Sequence, residues 1–290
     1  MNRSANKTVL AVALAASMLA TAGCNKLRAR DELNKGVQAY KASKFEQAIE
    51  HFKNATDRDP SLTVARLYLA TAYVAQYVPG SDSPENTRFA NGAIEQFKKV
   101  LDSNEGAKST RVLSTKGLAS LYFNMKDFEQ AKDYDKKAIQ IDPNDPENYY
   151  SAAVVDWTQS YVPRQEERQK LGLHGSGGDI NSDPFWKTKE GLKACQDFKA
   201  KRWDSVQEGI DMLTKAIDLR KDYDDAMAYI NLLYRERADM QCGDNEARAA
   251  DFKTADEWVE KTMATKKARA EKLNEQHGIV LDKPKDEDQQ

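Results

Sequence analysis

The feature that most constrains the fold is an internal repetition with a spacing of 83 residues. Four residues of one segment recur in the same order in a later one: Phe45, Ala48, Ala55 and Pro60 return as Phe128, Ala131, Ala138 and Pro143. A Tyr-Val-Pro tripeptide at 77–79 also returns at 161–163, 84 residues on. Because several unlike residue types keep one register, the repetition predicts stacked copies of one supersecondary unit.

Each repeated unit has the pattern of two amphipathic helices. Apolar residues at 45, 48, 49, 52 and 55 form one helical stripe. Pro60 ends that helix. Before it, Gly36 and Ala39 lie three residues apart on one helix face, which lets a neighbouring helix approach closely. Residues 115–143 repeat the plan, so the pattern predicts an all-α chain of antiparallel helix pairs.

Composition excludes several other classes of protein. The net charge is −2 and the mean hydropathy is −0.77, which exclude a polytopic membrane protein and a nucleic-acid binder held by bulk charge. Three cysteines are too few for a disulfide-dense scaffold.

The repeated segments resemble tetratricopeptide repeats (TPRs), which are helix pairs of about 34 residues. The residues that carry the resemblance are Gly36, Phe45, Ala48, Phe52, Ala55 and Pro60 in the first repeat, and Leu118, Ala119, Tyr122, Phe128, Ala131, Ala138 and Pro143 in the third. The resemblance implies a TPR-like right-handed α-solenoid of antiparallel helix pairs, with about five repeats over residues 31–264. Inserts are expected in the second and fourth repeats.

The two inserts separate the helices of their repeats. In the second repeat, helices at 65–76 and 90–102 flank a loop at 77–89. In the fourth, helices at 147–161 and 205–219 flank an insert at 162–204, which we interpret as a short charged helix, a Gly-rich loop at 172–183 and a helix at 184–201. The insert either packs over the concave face or forms a contact specific to this protein. A fifth repeat at 224–264 precedes a helix end at 265–280 and a disordered tail at 281–290.

The N-terminus has the pattern of an exported lipoprotein. Residues 1–23 combine basic residues with an apolar stretch too short to span a bilayer. Thr21-Ala22-Gly23-Cys24 resembles the lipobox of bacterial lipoproteins, which implies lipidation of Cys24 and a tether at 24–30. The alternative is an ordinary signal peptide cut near Ala22. Asn25 stands where enteric lipoproteins of the inner membrane tend to have Asp, so the resemblance favours the outer membrane, facing the periplasm.

The sequence gives no case for an enzyme, a metal site or a cofactor. His51, His174 and His277 do not stand at metal-ligand spacing, and no Cys-x-x-Cys is present. The two cysteines that remain after lipidation, Cys195 and Cys242, are predicted either to form a disulfide or to stay as two unpaired thiols.

The TPR resemblance also implies a binding groove lined by the first helix of each repeat. Carried over to this sequence, the groove residues are Leu33, Val37, Tyr40, Lys41, Leu67, Thr71, Val74, Lys116, Ser120, Phe123, Asn124, Tyr150, Val154 and Trp157. Tyr40, Phe123 and Trp157 stand at equivalent places and suit the burial of a partner's apolar side chains. The alternative is that some of them pack against the inserts.

These patterns together predict a membrane-anchored protein-interaction scaffold or assembly factor of a bacterial cell envelope. In plan it resembles the repeat lipoproteins of outer-membrane β-barrel assembly and of type IV pilus biogenesis. The predicted partners are proteins in the groove and the membrane at the lipid anchor, with no nucleic acid or small-molecule substrate. One alternative is a structural envelope component that binds through its convex face. Another is a ligand carrier or enzyme that uses the 172–183 loop.

Overall fold

The computed structural model describes residues 24–103, 106–170 and 188–276. Within these ranges the chain forms ten helices and no strand. The helices are α1 (24–41), α2 (Phe45–Arg58), α3 (Thr63–Gln76), α4 (Pro84–Asp102), α5 (Lys108–Asn124), α6 (Phe128–Ile141), α7 (Pro146–Lys170), α8 (Lys189–Leu219), α9 (Asp224–Asp239) and α10 (Asn245–Gln276). The chain divides between Asp142 and Pro143 into two compact units. The all-α solenoid class implied by the TPR resemblance is confirmed.

The helices of unit 1 (α1–α6) pack through aromatic rings seated on small residues. Phe52 of α2 is fully buried, and it stacks on Tyr68 of α3 with ring centroids 5.6 Å apart. A methyl group added at Gly36 of α1 would lie 2.5 Å from two carbons of the Phe52 ring. A methyl group at Gly117 of α5 would lie 2.4 Å from the Phe97 ring of α4. The small residue predicted on the first helix therefore leaves room for a buried aromatic ring of the second helix.

Replacing Gly36 by Ala tests this close packing. We expect the change to lower the free energy of unfolding by about 1–3 kcal/mol, because the ring must move and the core is overpacked. The loss occurs although Ala is the better helix former by about 1 kcal/mol. Gly106→Ala is the control, since a methyl group there would meet its nearest neighbours at 3.6 Å. Chemical denaturation of both variants measures the difference, and equal stability would refute the packing argument.

The turns inside the first and third repeats are the same structure, 83 residues apart. Ser43 and Lys126 both adopt the left-handed conformation, with φ of 57° and 62°. In each turn two backbone N–H groups bond back to the end of the first helix: those of 43 and 44 to Tyr40 and Ala39, and those of 126 and 127 to Phe123 and Tyr122. The sequence repetition therefore extends to the backbone geometry of the turn.

A non-glycine residue in this conformation carries a steric cost of roughly 1–2 kcal/mol. Replacing Ser43 or Lys126 by Gly removes that cost but adds chain entropy to the unfolded state. We expect a net gain of up to about 1 kcal/mol for each change, and a slightly higher melting temperature. The control is Lys137→Gly at an exposed position inside α6. It should lower the free energy of unfolding by about 1 kcal/mol. A loss at positions 43 and 126 would contradict the strain assignment.

The loop predicted at 77–89 is wrong in length, because α4 begins at Pro84. Ser83 caps the helix by accepting a hydrogen bond from the N–H of Asn86 at 3.1 Å, and Pro84 fits the first helical position. The buried Asn86 side chain then bonds back to the loop, where it accepts from the Val78 N–H at 2.7 Å and donates to the Ser81 carbonyl at 2.8 Å. Because the Ser83 cap starts the helix at Pro84 and the Asn86 side chain holds the preceding residues, the loop is shortened to 77–83.

In unit 2 (α7–α10), the helix boundaries predicted around the insert are also wrong. The helix at 147–161 and the short charged helix form one element, α7, which continues through Pro163. The predicted helices at 184–201 and 205–219 join within α8, which runs from Lys189 without a break. The insert thus lengthens two paired helices, and its 172–183 loop lies outside the described residues. The core beneath them centres on Val206, Ile210, Leu213, Ile230 and Leu233.

The predicted tether at 24–30 is not an extended segment, because these residues form the start of α1 and Ala29 is fully buried. At the other end α10 continues to Gln276, and Arg269 reaches back to the Asp224 carboxylate at 2.5 Å. The tail predicted at 281–290 lies outside the described residues. No helix in the described part of the chain is both long enough and apolar enough to cross a membrane.

Candidate functional site

The first helices of unit 1 present the residues predicted for the groove. We call this surface the first-helix face: Leu33, Val37, Tyr40 and Lys41 of α1, Leu67, Thr71 and Val74 of α3, and Lys116, Ser120, Phe123 and Asn124 of α5. Every one of these side chains is half-buried or exposed, and none is fully buried. The apolar members therefore keep surface that a partner can cover.

One member of this surface was missed in the sequence. Leu113 of α5 has 54% of its surface exposed. It lies three, seven and eleven residues before Lys116, Ser120 and Asn124, so it belongs to the same helical stripe. The spacing of Leu113 from these residues could have identified it in the sequence. We include Leu113 in the first-helix face from here on.

The two aromatic residues of the face are held by equivalent contacts. Tyr40 packs edge-on against Phe45 with ring centroids 5.3 Å apart, and Phe123 packs in the same way against Phe128 at 5.5 Å. Each pair bridges the two helices of its own repeat across the turn. The contacts fix the orientation of the rings and leave both half-exposed.

The predicted groove aromatics of unit 2 have a different environment. Tyr150 and Trp157 of α7 both pack edge-on against Tyr229 of α9, with centroids 5.4 Å away in each case. Trp157 also stacks on Tyr161 at 4.8 Å, and Tyr150 contacts Tyr223 at 5.2 Å. Burial raises the pKa of the Tyr150 and Tyr223 hydroxyls. These rings hold α7 to α9, so Trp157 is not equivalent in environment to Tyr40 and Phe123.

The extension of α7 is fixed by a buried charge cluster. The Arg164 guanidinium donates to both carboxylate oxygens of Glu236, at 2.8 and 2.6 Å, and to Asp239 at 2.5 Å. Ser160 donates to Glu236 at 3.2 Å. Only 2% of the Glu236 side chain is exposed. Burial raises the pKa of this carboxyl, and the neighbouring Arg164 opposes the shift.

The extension of α8 is joined to the α9–α10 turn by a disulfide. Cys195 and Cys242 are bonded through their sulfurs, with their Cα atoms 5.6 Å apart. This distance lies inside the range that a disulfide requires. Of the two alternatives left open by the sequence, the structure contains the bonded one. Cys242 holds a left-handed backbone with φ of 49°, followed by Gly243 at 99°.

Of the three histidines considered for chemistry, the structure describes His51. The imidazole Nδ1 of His51 lies 2.8 Å from a carboxylate oxygen of Glu32 across the α1–α2 pair. This hydrogen bond lowers the pKa of Glu32. His174 and His277 lie outside the described residues. Among the described residues, no group of three or more His, Cys, Asp or Glu side chains is placed to hold a metal ion.

Cys24, the predicted lipidation site, is exposed at the first turn of α1. Lys26, Leu27, Arg28 and Arg30 beside it are also exposed. A thiol in this position is accessible to modification, whereas the lipid itself stays a prediction.

Comparison with known proteins agrees with the geometry of the third repeat. The tetratricopeptide repeat family profile matches residues 117–145, which overlap the helix pair α5–α6. A search of curated proteins finds no significant match to this chain.

Solved structures show the same fold at low sequence identity. One MamA crystal structure has 15% identity, covers 88% of this chain and 98% of its own, and superposes with a TM-score of 0.52. A MamA fragment from Desulfovibrio magneticus RS-1 has 14% identity, covers 83% of this chain and 96% of its own, and gives a TM-score of 0.51. MamA is itself a TPR protein. The profile thus identifies one tetratricopeptide repeat at 117–145, and the chain shares the fold of these TPR proteins.

Proposed function

We propose that this protein is a lipid-anchored scaffold of a bacterial cell envelope that binds other proteins through its first-helix face. The observation that carries the proposal is the solvent exposure of the apolar side chains on that face. Its apolar side chains lie on three helices of one unit, and all of them stay half-buried or exposed. Aromatic rings held in fixed orientations lose little side-chain entropy when a partner covers them.

Two independent features support the envelope location. The first is the order of a basic segment, an apolar stretch and a lipobox-like tetrapeptide before Cys24. The second is the Cys195–Cys242 disulfide. Structural disulfides persist in oxidising spaces such as the periplasm and are rare in the cytosol.

The lipid anchor is tested by labelling cells with a palmitate analogue. We expect the wild-type chain to incorporate the label and to fractionate with the outer membrane. Cys24→Ser should abolish labelling and block processing of the signal. Cys195→Ser is the control, because its sulfur belongs to the disulfide, and it should label normally. Label retained in Cys24→Ser would refute the anchor.

The scaffold role is tested by affinity capture after crosslinking in the native envelope. Val37→Lys combined with Leu67→Lys places two charges on the first-helix face. Ile94→Lys combined with Ile139→Lys is the matched control, because these half-buried apolar residues lie on the second helices α4 and α6. We expect the first pair to lose captured partners at unchanged helical content and the control pair to keep them. The reverse pattern would favour a structural component that binds through its convex face.

A further inference from the structure

The charges of unit 1 are divided unequally between its first and second helices. The first helices contain nine basic residues, which are Lys26, Arg28, Arg30, Lys35, Lys41, Arg66, Lys108, Arg111 and Lys116. Helices α3 and α5 contain no Asp or Glu, and α1 contains only Asp31 and Glu32. The second helices α2, α4 and α6 carry eight basic and nine acidic residues. In a chain of net charge −2, the excess positive charge of this unit lies on the first helices.

The two acidic residues of α1 offset part of this charge, but they do so away from the first-helix face. Asp31 pairs with Lys35 on its own helix at 2.7 Å. Glu32 lies 2.8 Å from His51, on the side of α1 that faces α2. Both carboxylates are thus engaged away from the first-helix face.

On the first-helix face itself, the charged members are Lys41 and Lys116, and Arg30 lies one helical turn before Leu33. On α1, Arg30 and Lys41 stand before and after Leu33 and Val37, and on α5 Lys116 follows Leu113 by one helical turn. Leu67 and Val74 of α3 complete the apolar part of the face. A surface with an apolar centre and a border of one sign of charge complements a partner with apolar anchors and charges of the opposite sign.

We propose that the first-helix face binds a polypeptide segment in which acidic residues flank apolar ones. This inference rests on the proposed function, because it names the chemistry of the partner that the same surface takes. A peptide fits the face better than an anionic membrane does. Most of its apolar side chains are half-buried between helices, whereas insertion into a bilayer needs apolar groups that protrude.

The test uses three labelled synthetic peptides with identical Leu, Val and Phe positions. Their remaining positions are acidic (Asp, Glu), neutral (Ser, Asn) or basic (Lys). Fluorescence anisotropy measures their affinity for the whole mature chain carrying Cys24→Ser. We expect the acidic peptide to bind at least about tenfold more tightly than the neutral one at low salt, with the ratio shrinking as salt screens the charges.

Matched charge-reversal variants locate the binding site. The face variant combines Arg30→Glu, Lys41→Glu and Lys116→Glu. The control variant combines Lys53→Glu, Lys99→Glu and Lys136→Glu, which are exposed second-helix positions with the same total charge change. We expect the face variant to lose at least about tenfold in affinity for the acidic peptide. The control should lose much less, with helical content by circular dichroism unchanged in both.

Three outcomes would overturn the inference. Equal binding of the neutral and acidic peptides would leave the interaction function standing and refute its charge preference. Equal losses in the two variants would show that the charge effect is not local to this face. Binding of phosphatidylglycerol vesicles through Arg30, Lys41 and Lys116, with no peptide bound, would make the face a membrane surface. The capture experiment on Val37 and Leu67 tests the proposed function separately.

Discussion

Replacing Arg164 by Ala is expected to lower the free energy of unfolding of unit 2 by about 3–5 kcal/mol, the usual loss when one partner of a buried ion pair is removed. The guanidinium makes three of the hydrogen bonds that hold the end of α7 to α9. Without it, Glu236 and Asp239 stay in an environment where only 2% and 9% of their side chains are exposed. Two carboxylates would then face each other without their main cation.

Chemical denaturation monitored by circular dichroism measures this loss. Arg235→Ala is the matched control on the same unit, because Arg235 pairs at 2.7 Å with an exposed Asp256. Exposed pairs contribute only about 0–1 kcal/mol. Arg164→Met combined with Glu236→Leu removes the Arg164–Glu236 pair and leaves Asp239 beside Arg248 at 3.6 Å, so it should recover part of the loss. If Arg164→Ala and Arg235→Ala cost the same, the cluster does not hold the α7 extension.

The cost of Arg164→Ala should also depend on pH. Burial raises the pKa of Glu236 above its ordinary value near 4.5, and Arg164 lowers it. Without Arg164 the pKa rises further, so the folded variant binds a proton that the unfolded chain has already released. Stability gained from this proton is present below the unfolded pKa and is lost as pH rises through the folded pKa. The loss measured at about pH 5 should therefore be smaller than at about pH 8, and a loss that grows on acidification would contradict the assignment.

Removing the disulfide has the second-largest expected effect. Its cysteines are 47 residues apart in sequence. Closing a loop of that length reduces the entropy of the unfolded chain by an amount equivalent to about 4 kcal/mol, and native disulfides typically stabilise by about 2–4 kcal/mol. We expect Cys195→Ala combined with Cys242→Ala to lower the free energy of unfolding by that amount. The reduced wild-type protein should unfold at the same denaturant concentration as the double variant.

Cys24→Ser is the control for this pair, because Cys24 is exposed and unbonded. It should not change stability. A thiol titration of the denatured, unreduced chain should detect at most one thiol, that of an unlipidated Cys24, of the three cysteines present. Two further reactive thiols per chain, or unchanged stability of the double variant, would contradict a bonded pair.

The regular part of the fold was predictable from residues close together in sequence. The apolar stripe from Phe45 to Ala55 predicted α2, and the same stripe 83 residues on predicted α6. The small residue Gly36 predicted a close helix contact, and Phe52 fills it. These features depend on periodicity and residue size, both of which the sequence contains directly.

The inserts were predictable only in part. The first helix of the fourth repeat was predicted to end at 161, yet α7 continues to 170, because Arg164 is bound by carboxylates more than 70 residues away. No local pattern identifies such a partner. The division of α8 had a different cause: no Gly or Pro stands between Lys201 and Ser205, so the repeat template led to a boundary that the residues do not support.

The candidate site was predicted by position but not by environment. The TPR resemblance placed Val37, Leu67 and Phe123 on the first helices, and all three side chains keep exposed surface there. It could not show that Trp157 packs against Tyr229 from another repeat, because the two residues are 72 positions apart in sequence and no local pattern links them. Equivalent sequence positions therefore differ in how much surface they offer a partner.

Site-specific photocrosslinking in living cells tests the central claim most directly. A photoreactive amino acid replaces Leu113, which has 54% of its surface exposed on the first-helix face. In a parallel strain it replaces Lys136, which is exposed on the second helix α6. We predict discrete adducts with a partner protein at position 113 and none at position 136. Adducts at position 136 alone would contradict the claim that this protein binds its partners through the first-helix face.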